Sequence, residues 1–401
     1  MNYRTVTYYN EFKCIGGACE DSCCDNWEID LDDESLKLYM SQKGELGKRF
    51  KNCTRVKDKQ FILNGTRCPF HNADDLCDIF IEIGEEALCE TCTNFPRHIE
   101  EFDDLKEVSL TMSCPEASRI MLAKKDKMTF TCKEGRDCDY GLKEMKPVSR
   151  FAFWKKSHEN KLDRPLFDWL ILARELIYEI LQDRINPIPL RVICVLSFAE
   201  ELQACVDNDK TYSNIKEIIA KYRNEAFEKG YQTFKDSTEK KDNHIADFMA
   251  QILNMYEGLE NIKPEWKDIL KTGEEHIRSG KPYEYVKEFL NYYSDSDYQF
   301  EHILVYYIFN YFLGASYDHD ILTKVKFATA SYLVILHLDT ARWLEQDKKF
   351  TYEDQVIIAH AYSKEVEHSY NNYESLQLVL SAHPILTTDN FIYEMTRCIN
   401  N

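Results

Sequence analysis

The sequence predicts a mixed, mostly α fold. A small cysteine-rich α+β metal-binding domain is expected over residues 1–146, followed by a larger all-helical region over 147–401. Three observations lead there. Twelve of the fifteen cysteines lie before residue 140, many of them in short paired spacings. The same block carries short segments broken by turn signals. From about residue 150 the texture changes to long stretches of helical periodicity.

Composition narrows the function classes. At 44% hydrophobic and 30% charged, the chain is ordinary globular protein. Its 401 residues allow two or three domains and a core that forms without metal. Metal would therefore matter locally, in the cysteine-rich block. A formal charge of −19 argues against a nucleic-acid partner, because phosphate contacts need a basic face. A basic protein segment such as an exposed lysine suits an acidic chain better. The longest apolar runs, Ile303–Phe312 and Tyr332–Leu338, fall short of the roughly 18–20 residues that span a bilayer, so no membrane partner is expected. Met1–Asn10 is polar and aromatic without the apolar stretch of an export signal, which predicts a cytoplasmic protein.

The elements follow in order. Glu34–Phe50 reads as one helix capped by Asp32 or Asp33, with Leu36, Tyr39, Met40, Leu46 and Phe50 on its apolar face. Gln60–Leu63 followed by Asn64-Gly65 reads as a strand entering a hairpin turn. Val108, Leu110 and Met112 alternate with polar residues, which predicts a half-buried strand. Cys114-Pro115-Glu116 opens a helix with Pro115 in its first position. Phe130–Cys132 forms a further short strand, and the charged stretch Lys133–Lys146 closes the block before Pro147. Helices are then predicted over 166–182, 189–207, 215–229, 243–258, 283–293, 300–314, 322–345 and 352–370. Pro187, Pro189, Pro264 and Pro282 punctuate them, as boundary prolines should. Cys194, Cys205 and Cys398 sit in apolar helical surroundings and read as packing residues.

Thiols as dense as those of the first block are oxidised, metal-bound or catalytic. A reducing compartment and an odd cysteine count disfavour disulfides, leaving zinc or an iron–sulfur centre. The candidate ligands are Cys14, Cys19, Cys23, Cys24, Cys68, Cys77, Cys89, Cys92 and Cys114. Cys89-x2-Cys92 is a strong half-site. Cys19-x3-Cys23-Cys24 is a looser one, and Cys68 with Cys77 could complete either. Adjacent Cys23 and Cys24 cannot both face one metal, so one of them reads as a core thiol. Cys53, Cys132 and Cys138 lack a neighbour at ligand spacing and read as ordinary thiols.

Two further constellations carry ionisable groups. In Tyr362–Ser369 the residues Glu365 and His368 are three apart and share a helix face. Glu365, Glu367 and His368 are the candidates for a general base or amine-recognition site. The competing reading is a solvated or internally bonded helix face. A Glu-x-x-His pair is also half of a di-iron site, but no second pair accompanies it. Phe95-Pro96-Arg97-His98, with Glu100 and Glu101, follows Cys92 directly. It reads either as a surface turn or as outer hydrogen bonding to a metal loop. The aromatic stripe Tyr306, Tyr307, Phe309, Tyr311 and Phe312 reads as core rather than as an amine cage.

These pieces also carry a resemblance. Cys19–Cys24, Cys68–Phe70, Cys77–Phe80 and Cys92–Pro96 look like a zinc- or iron-chelating cysteine domain. Cys14–Trp27, Cys68–Cys92, Phe95–His98, Ser109–Ala117 and Tyr362–Ser369 together resemble the flagellin lysine-N-methylase family. The resemblance implies ε-methylation of flagellin surface lysines, S-adenosylmethionine as donor, and a cysteine-ligated 4Fe–4S cluster. It places Cys19, Cys23, Cys68, Cys77, Cys89, Cys92 and Cys114 at family cysteine positions. No glycine-rich turn follows a predicted strand, so the donor site has no sequence signature. The radical-enzyme pattern Cys-x3-Cys-x2-Cys is broken at Asn26. An iron–sulfur electron carrier and a metal-stabilised adaptor without catalysis are the rival functions.

Overall fold

The structure is a computed structural model describing residues 1–25, 29–143, 161–239 and 248–399. The fold is mostly α with a small sheet near the N-terminus, as the sequence predicts. Unit 1 gathers Met1–Met121, Thr129–Glu159 and Glu367–Ser369. Unit 2 gathers Leu122–Met128, Asn160–Val366 and Tyr370–Asn401. The expected boundary at 146–147, Asn26, Trp27 and the start of the helix expected over 243–258 lie outside the described residues.

Unit 1 contains strands β1 (Asn2–Val6), β2 (Thr54–Arg55), β3 (Gln60–Phe61), β4 (Arg97–Phe102), β5 (Leu105–Leu110) and β6 (Phe130–Glu134). Its helices are α1 (Asp33–Ser41), α2 (Gly44–Asn52), α3 (Asp78–Ile83), α4 (Glu90–Asn94) and α5 (Pro115–Leu122, whose last residue falls in unit 2). One sheet runs β4-β5-β1-β6, with β1 parallel to β5 and the other pairs antiparallel. Strand β5 is therefore central. Lys106, Glu107 and Ser109 are buried along with Val108 and Leu110, so it is not the half-buried strand that alternation predicts. Strands β1 and β4 went unpredicted, because both are rich in polar residues that the sheet nonetheless covers.

The single helix expected over 34–50 is two helices. Asp32 caps α1, its carboxylate accepting the Ser35 amide at 2.8 Å. The chain then breaks at Gln42 and Lys43. Gly44 adopts a φ of 71°. A Cβ on Gly47 would stand 2.2 Å from the Gln42 carbonyl oxygen, so this close return needs glycine. The apolar face survives the break. Tyr39 and Phe50 stack at 4.3 Å, Phe50 meets Phe70 at 4.5 Å, and Phe70 meets Phe61 at 4.9 Å. Each such buried ring contributes on the order of 1.5–3 kcal/mol. Strand β3 pairs back onto β2, not across the Asn64-Gly65 turn. That turn is closed by reciprocal Asn64–Arg67 backbone bonds of 2.8 and 3.2 Å. Helix α5 starts at Pro115, and β6 contains Phe130–Cys132, both as expected.

Unit 2 consists of α6 (Arg164–Leu181), α7 (Ile188–Asn208), α8 (Ile215–Glu239), α9 (Phe248–Glu257), α10 (Pro264–Ile277) and α11 (Pro282–Tyr292). It continues with α12 (Tyr298–Tyr311), α13 (Ala315–Asp318), α14 (Ile321–Glu345), α15 (Tyr352–Glu367, whose last residue falls in unit 1), α16 (Tyr370–Ala382) and α17 (Thr388–Arg397). Helix α14 packs against α7, α10, α11, α12 and α16. By length and composition it could cross a membrane, yet 94% of its most apolar stretch is buried within the protein. Within it the buried Thr329, Ser331 and Thr340 satisfy their hydroxyls on carbonyls four residues back, at 2.9, 2.8 and 2.7 Å.

Helix α10 had no counterpart among the predicted helices. Its buried side is Trp266, Leu270, Gly273 and His276, too sparse an apolar stripe to register as a period. Gly273 lets it approach α14: a Cβ there would lie 2.6 Å from Leu338. Buried Glu301 on α12 joins Arg184 at 2.8 Å and Arg191 at 2.9 Å. The stripe Tyr306–Phe312 is buried in the core, as are Cys194 and Cys398, while Cys205 is only partly buried.

Candidate functional site

In unit 1 the thiols collect around the aromatic stack. Cys68 and Cys89 belong to the same apolar cluster as Tyr39, Phe50 and Phe70, and Cys24, Cys53, Cys77 and Cys92 pack against it. Cys89 and Cys92 stand at the start and middle of α4, with their sulfurs 3.5 Å apart. That contact pulls the Cys89 thiol down in pKa and pushes Cys92 up. Contact with Cys23, then burial and the nearby thiols of Cys68 and Cys77, raise Cys24. The backbone assists this gathering, because the Cys68 amide donates to the Cys24 carbonyl at 2.8 Å.

Several of these sulfurs share one local arrangement. Burial pushes Cys68 up to about 12, against the opposing amides of Phe70 and His71. Burial raises Cys77 against the amides of Phe80 and Ile79. It pushes Cys114 up to about 12 against the amides of Ala117 and Glu116. In each case the opposing amides lie two and three residues on. The cause is a turn or helix start that aims its first free N–H groups at the preceding side chain. Cys19 and Cys23 are the thiols electrostatically felt by Cys114. Burial also raises Cys19.

Cys14 is exposed, its sulfur accepting the Gly16 amide at 3.4 Å. Of the adjacent pair, Cys23 is exposed and Cys24 packs on the apolar cluster, so Cys24 has the surroundings of a core thiol. Cys132 and Cys138 are exposed. Among the described residues, no three His, Cys, Asp or Glu side chains converge as a metal-ion site. Cys24 nonetheless feels the thiols of Cys23, Cys68 and Cys77, and Cys92 those of Cys89, Cys24 and Cys68. As a donor set they suit a thiophilic centre: soft sulfurs, largely buried, with backbone amides ready to stabilise thiolate charge.

Phe95 and Pro96 form a turn with a cis peptide bond between them, Pro96 being buried. Arg97 and His98 open β4, and Arg97 reaches Tyr9 Oη at 3.0 Å and the Thr93 carbonyl at 3.3 Å. The register then sets a polar row on one sheet face: His98 opposite Ser109, Glu100 opposite Glu107, and Arg4 opposite Glu107. His98 Nε2 lies 3.7 Å from Glu100, and Arg4 Nε lies 3.9 Å from Glu107. His98, Glu100, Glu107 and Ser109 are all buried. Sequence reading missed Arg4, Glu107 and Ser109. The signal available was the two-residue spacing of His98, Glu100 and Phe102. Also in unit 1, the His368 ring meets Phe95 at 5.4 Å, and Glu367 is buried.

In unit 2, Glu365 is buried on α15 and accepts the amides of Ile262 at 2.7 Å and Lys263 at 2.5 Å. Burial pushes its pKa up to about 7, opposed by those two amides and by Lys364 and Lys263. Asn372 holds the same segment, donating to the Glu260 carbonyl and accepting its amide, both at 2.8 Å. One turn before Glu365, the Tyr362 hydroxyl bonds Tyr256 at 2.6 Å and Ser331 at 2.9 Å. Glu365 is thus occupied in holding a loop. Glu367 and His368 belong to the other compact unit. Sequence reading treated the three as one group and had no signal for Tyr256 or Asn372.

The sequence profile of the FliB lysine N-methylase C-terminal domain matches residues 174–392. The chain belongs to the FliB lysine N-methylase family. Within that family it is 30% identical over 146 residues to a lysine-N-methylase of Salmonella typhimurium, covering 33% of this chain and 36% of the relative. A lysine-N-methylase of Salmonella choleraesuis matches to the same extent. The flagellar biosynthetic protein FliU of Salmonella muenchen is 30% identical over 145 residues, 32% of this chain and 84% of that protein. The matched region spans about a third of the length of the two lysine-N-methylases. No solved structure matches the chain.

Proposed function

We propose that this protein methylates surface lysines of flagellin at the ε-nitrogen, with S-adenosylmethionine as donor and a 4Fe–4S cluster in unit 1. The observation that carries the reading is the FliB family match over residues 174–392. Its relatives are named lysine-N-methylase and flagellar biosynthetic protein, which favours a flagellar acceptor. In the transfer, the neutral amine forms a C–N bond to the methyl carbon. The C–S bond breaks with its electron pair kept by sulfur, and the amine proton passes to a base. Glu367 and His368 are the proposed proton-handling residues, and Glu365 positions the loop it binds.

Cys68, Cys77, Cys89 and Cys92 are the thiols proposed for the cluster: of the six that pack in one apolar cluster, Cys24 reads as a core thiol and Cys53 as an ordinary one. Such a cluster supplies a one-electron centre and a folding staple. The test is direct. Anaerobically purified protein, incubated with flagellin and S-adenosylmethionine, should add methyl groups to lysine-containing flagellin peptides. Iron and sulfide in a brown protein support the cluster, whereas stoichiometric zinc in a colourless one replaces it with a structural zinc. Reversible bleaching by dithionite without methyl transfer would favour electron transfer instead.

A further inference from the structure

Helix α3 presents apolar side chains to solvent. Ile79 is buried in the apolar cluster of unit 1, while Phe80 and Ile81 beside it are 48% and 56% exposed. Leu76, one residue before the Cys77 cap, is a third exposed apolar side chain. The exposed turn Gly16–Ala18 lies alongside. A Cβ on Gly17 would stand 3.3 Å from Leu76 Cδ2, and Ile15 before the turn is exposed as well. The helix is tied down from beneath. The Asp78 amide donates to the Phe70 carbonyl at 2.8 Å, and the Asp78 carboxylate meets Arg49 at 2.7 Å and Asn72 at 2.9 Å.

The charge around this face is one-sided. Residues 74–86 hold six carboxylates, Asp74, Asp75, Asp78, Glu82, Glu85 and Glu86, and no lysine or arginine. Arg67 takes Asp75, and Arg49 takes Asp78 and reaches Glu82. Asp74, Glu85 and Glu86 are exposed and join no cation among the described residues. We propose that this face docks a protein surface that carries lysine or arginine beside an apolar side chain. The proposal rests on the lysine-methylation reading above and deepens it, giving the means by which the protein acceptor is recognised. An exposed aromatic with apolar neighbours makes the centre of such a contact, and carboxylates at its edge select cations. Nucleic acid and anionic bilayers, both rich in phosphate, meet repulsion here. A second copy fits no better, since a two-fold contact sets the same patch, carboxylates included, against itself.

Calorimetric titration of the intact protein with purified flagellin tests the docking face apart from activity. Wild type should bind, and more weakly as salt rises. The pair Glu85→Lys with Glu86→Lys, and separately the pair Phe80→Ser with Ile81→Ser, should each weaken binding about tenfold or more. The salt dependence should shrink in the first double variant and persist in the second. All four positions are exposed, so circular dichroism should stay at wild type. A control with Ile185→Ser and Leu378→Ser, exposed apolar residues of unit 2, should bind as wild type does. Undiminished binding in either test variant overturns the docking face, whatever the methylation result. Weakened binding in the control overturns it too, as does a wild type that does not bind flagellin. A wild-type dimer that Phe80→Ser with Ile81→Ser dissociates would give the face to a second copy instead. Flagellin binding that both test variants weaken, without methyl transfer, keeps the docking face and removes the methyltransferase reading.

Discussion

The carboxylate of Glu365 accepts the backbone N–H of Ile262 at 2.7 Å, across 103 residues of chain. A buried carboxylate held this way has a pH signature. Its folded pKa is about 7, above the ordinary 4.5, so the folded state binds the extra proton between those values. Its contribution is therefore fully present below about pH 4.5 and is lost as pH rises through 7. The full span corresponds to roughly 3 kcal/mol at most. In Glu365→Gln this dependence disappears. Urea unfolding of wild type and variant from pH 4.5 to 8 should show the wild type losing stability relative to the variant as pH rises. Parallel curves would mean that Glu365 is ionised throughout.

Removing thiols should sort them by role. Cys68→Ala and Cys89→Ala should lose bound metal and loosen unit 1, since metal binding is coupled to folding where ligands converge. Cys92→Ala and Cys77→Ala should do the same. Cys194→Ala and Cys398→Ala lie in helical packing and should keep wild-type metal content. Elemental analysis of all six proteins checks this. Equal metal in all would show that the ligand set lies elsewhere.

The helical region was legible where apolar residues recur strongly, as in α6, α7, α11 and α14. It was illegible where burial rests on residues that carry no hydropathy signal. Helix α10 buries a glycine and a histidine, and β4 buries His98 and Glu100. Register likewise cannot be read locally, because Arg4 meets Glu107 only through the parallel pairing of β1 with β5. The helix break at Gln42 was hidden for a different reason: the apolar face continues across it, and only Gly44 and Gly47 mark the turn. The thiols were visible as spacings, whereas the amides facing Cys68, Cys77 and Cys114 follow from turns that spacing does not encode.

Gly230 and Cys194 offer a test of helix packing. A Cβ at Gly230 would fall 2.3 Å from Cys194 Sγ, between α8 and α7. Gly230→Ala should destabilise by about 1–3 kcal/mol through overpacking. In a Cys194→Ala background the sulfur is gone, and the same change should become neutral or stabilising by up to about 1 kcal/mol from helix propensity. A double-mutant cycle in urea measures the coupling. Additive effects would show that the helices shift apart to accommodate either side chain.

His368 gives the sharpest division between chemistry and packing. Its ring lies 5.4 Å from Phe95 and is not fully buried, so it can serve either purpose. If it takes the amine proton, His368→Ala should cut methyl transfer to flagellin by about 100-fold, the usual scale of general-base removal. Metal content and melting temperature should then stay at wild-type values, and Glu367→Gln should lower the rate in the same direction. A lower melting temperature with normal activity per folded molecule would instead identify the ring as a packing partner of Phe95. The pH–rate profile separates the two further. Loss of a proton-accepting imidazole removes the acidic limb of the profile, whereas loss of packing leaves its shape unchanged.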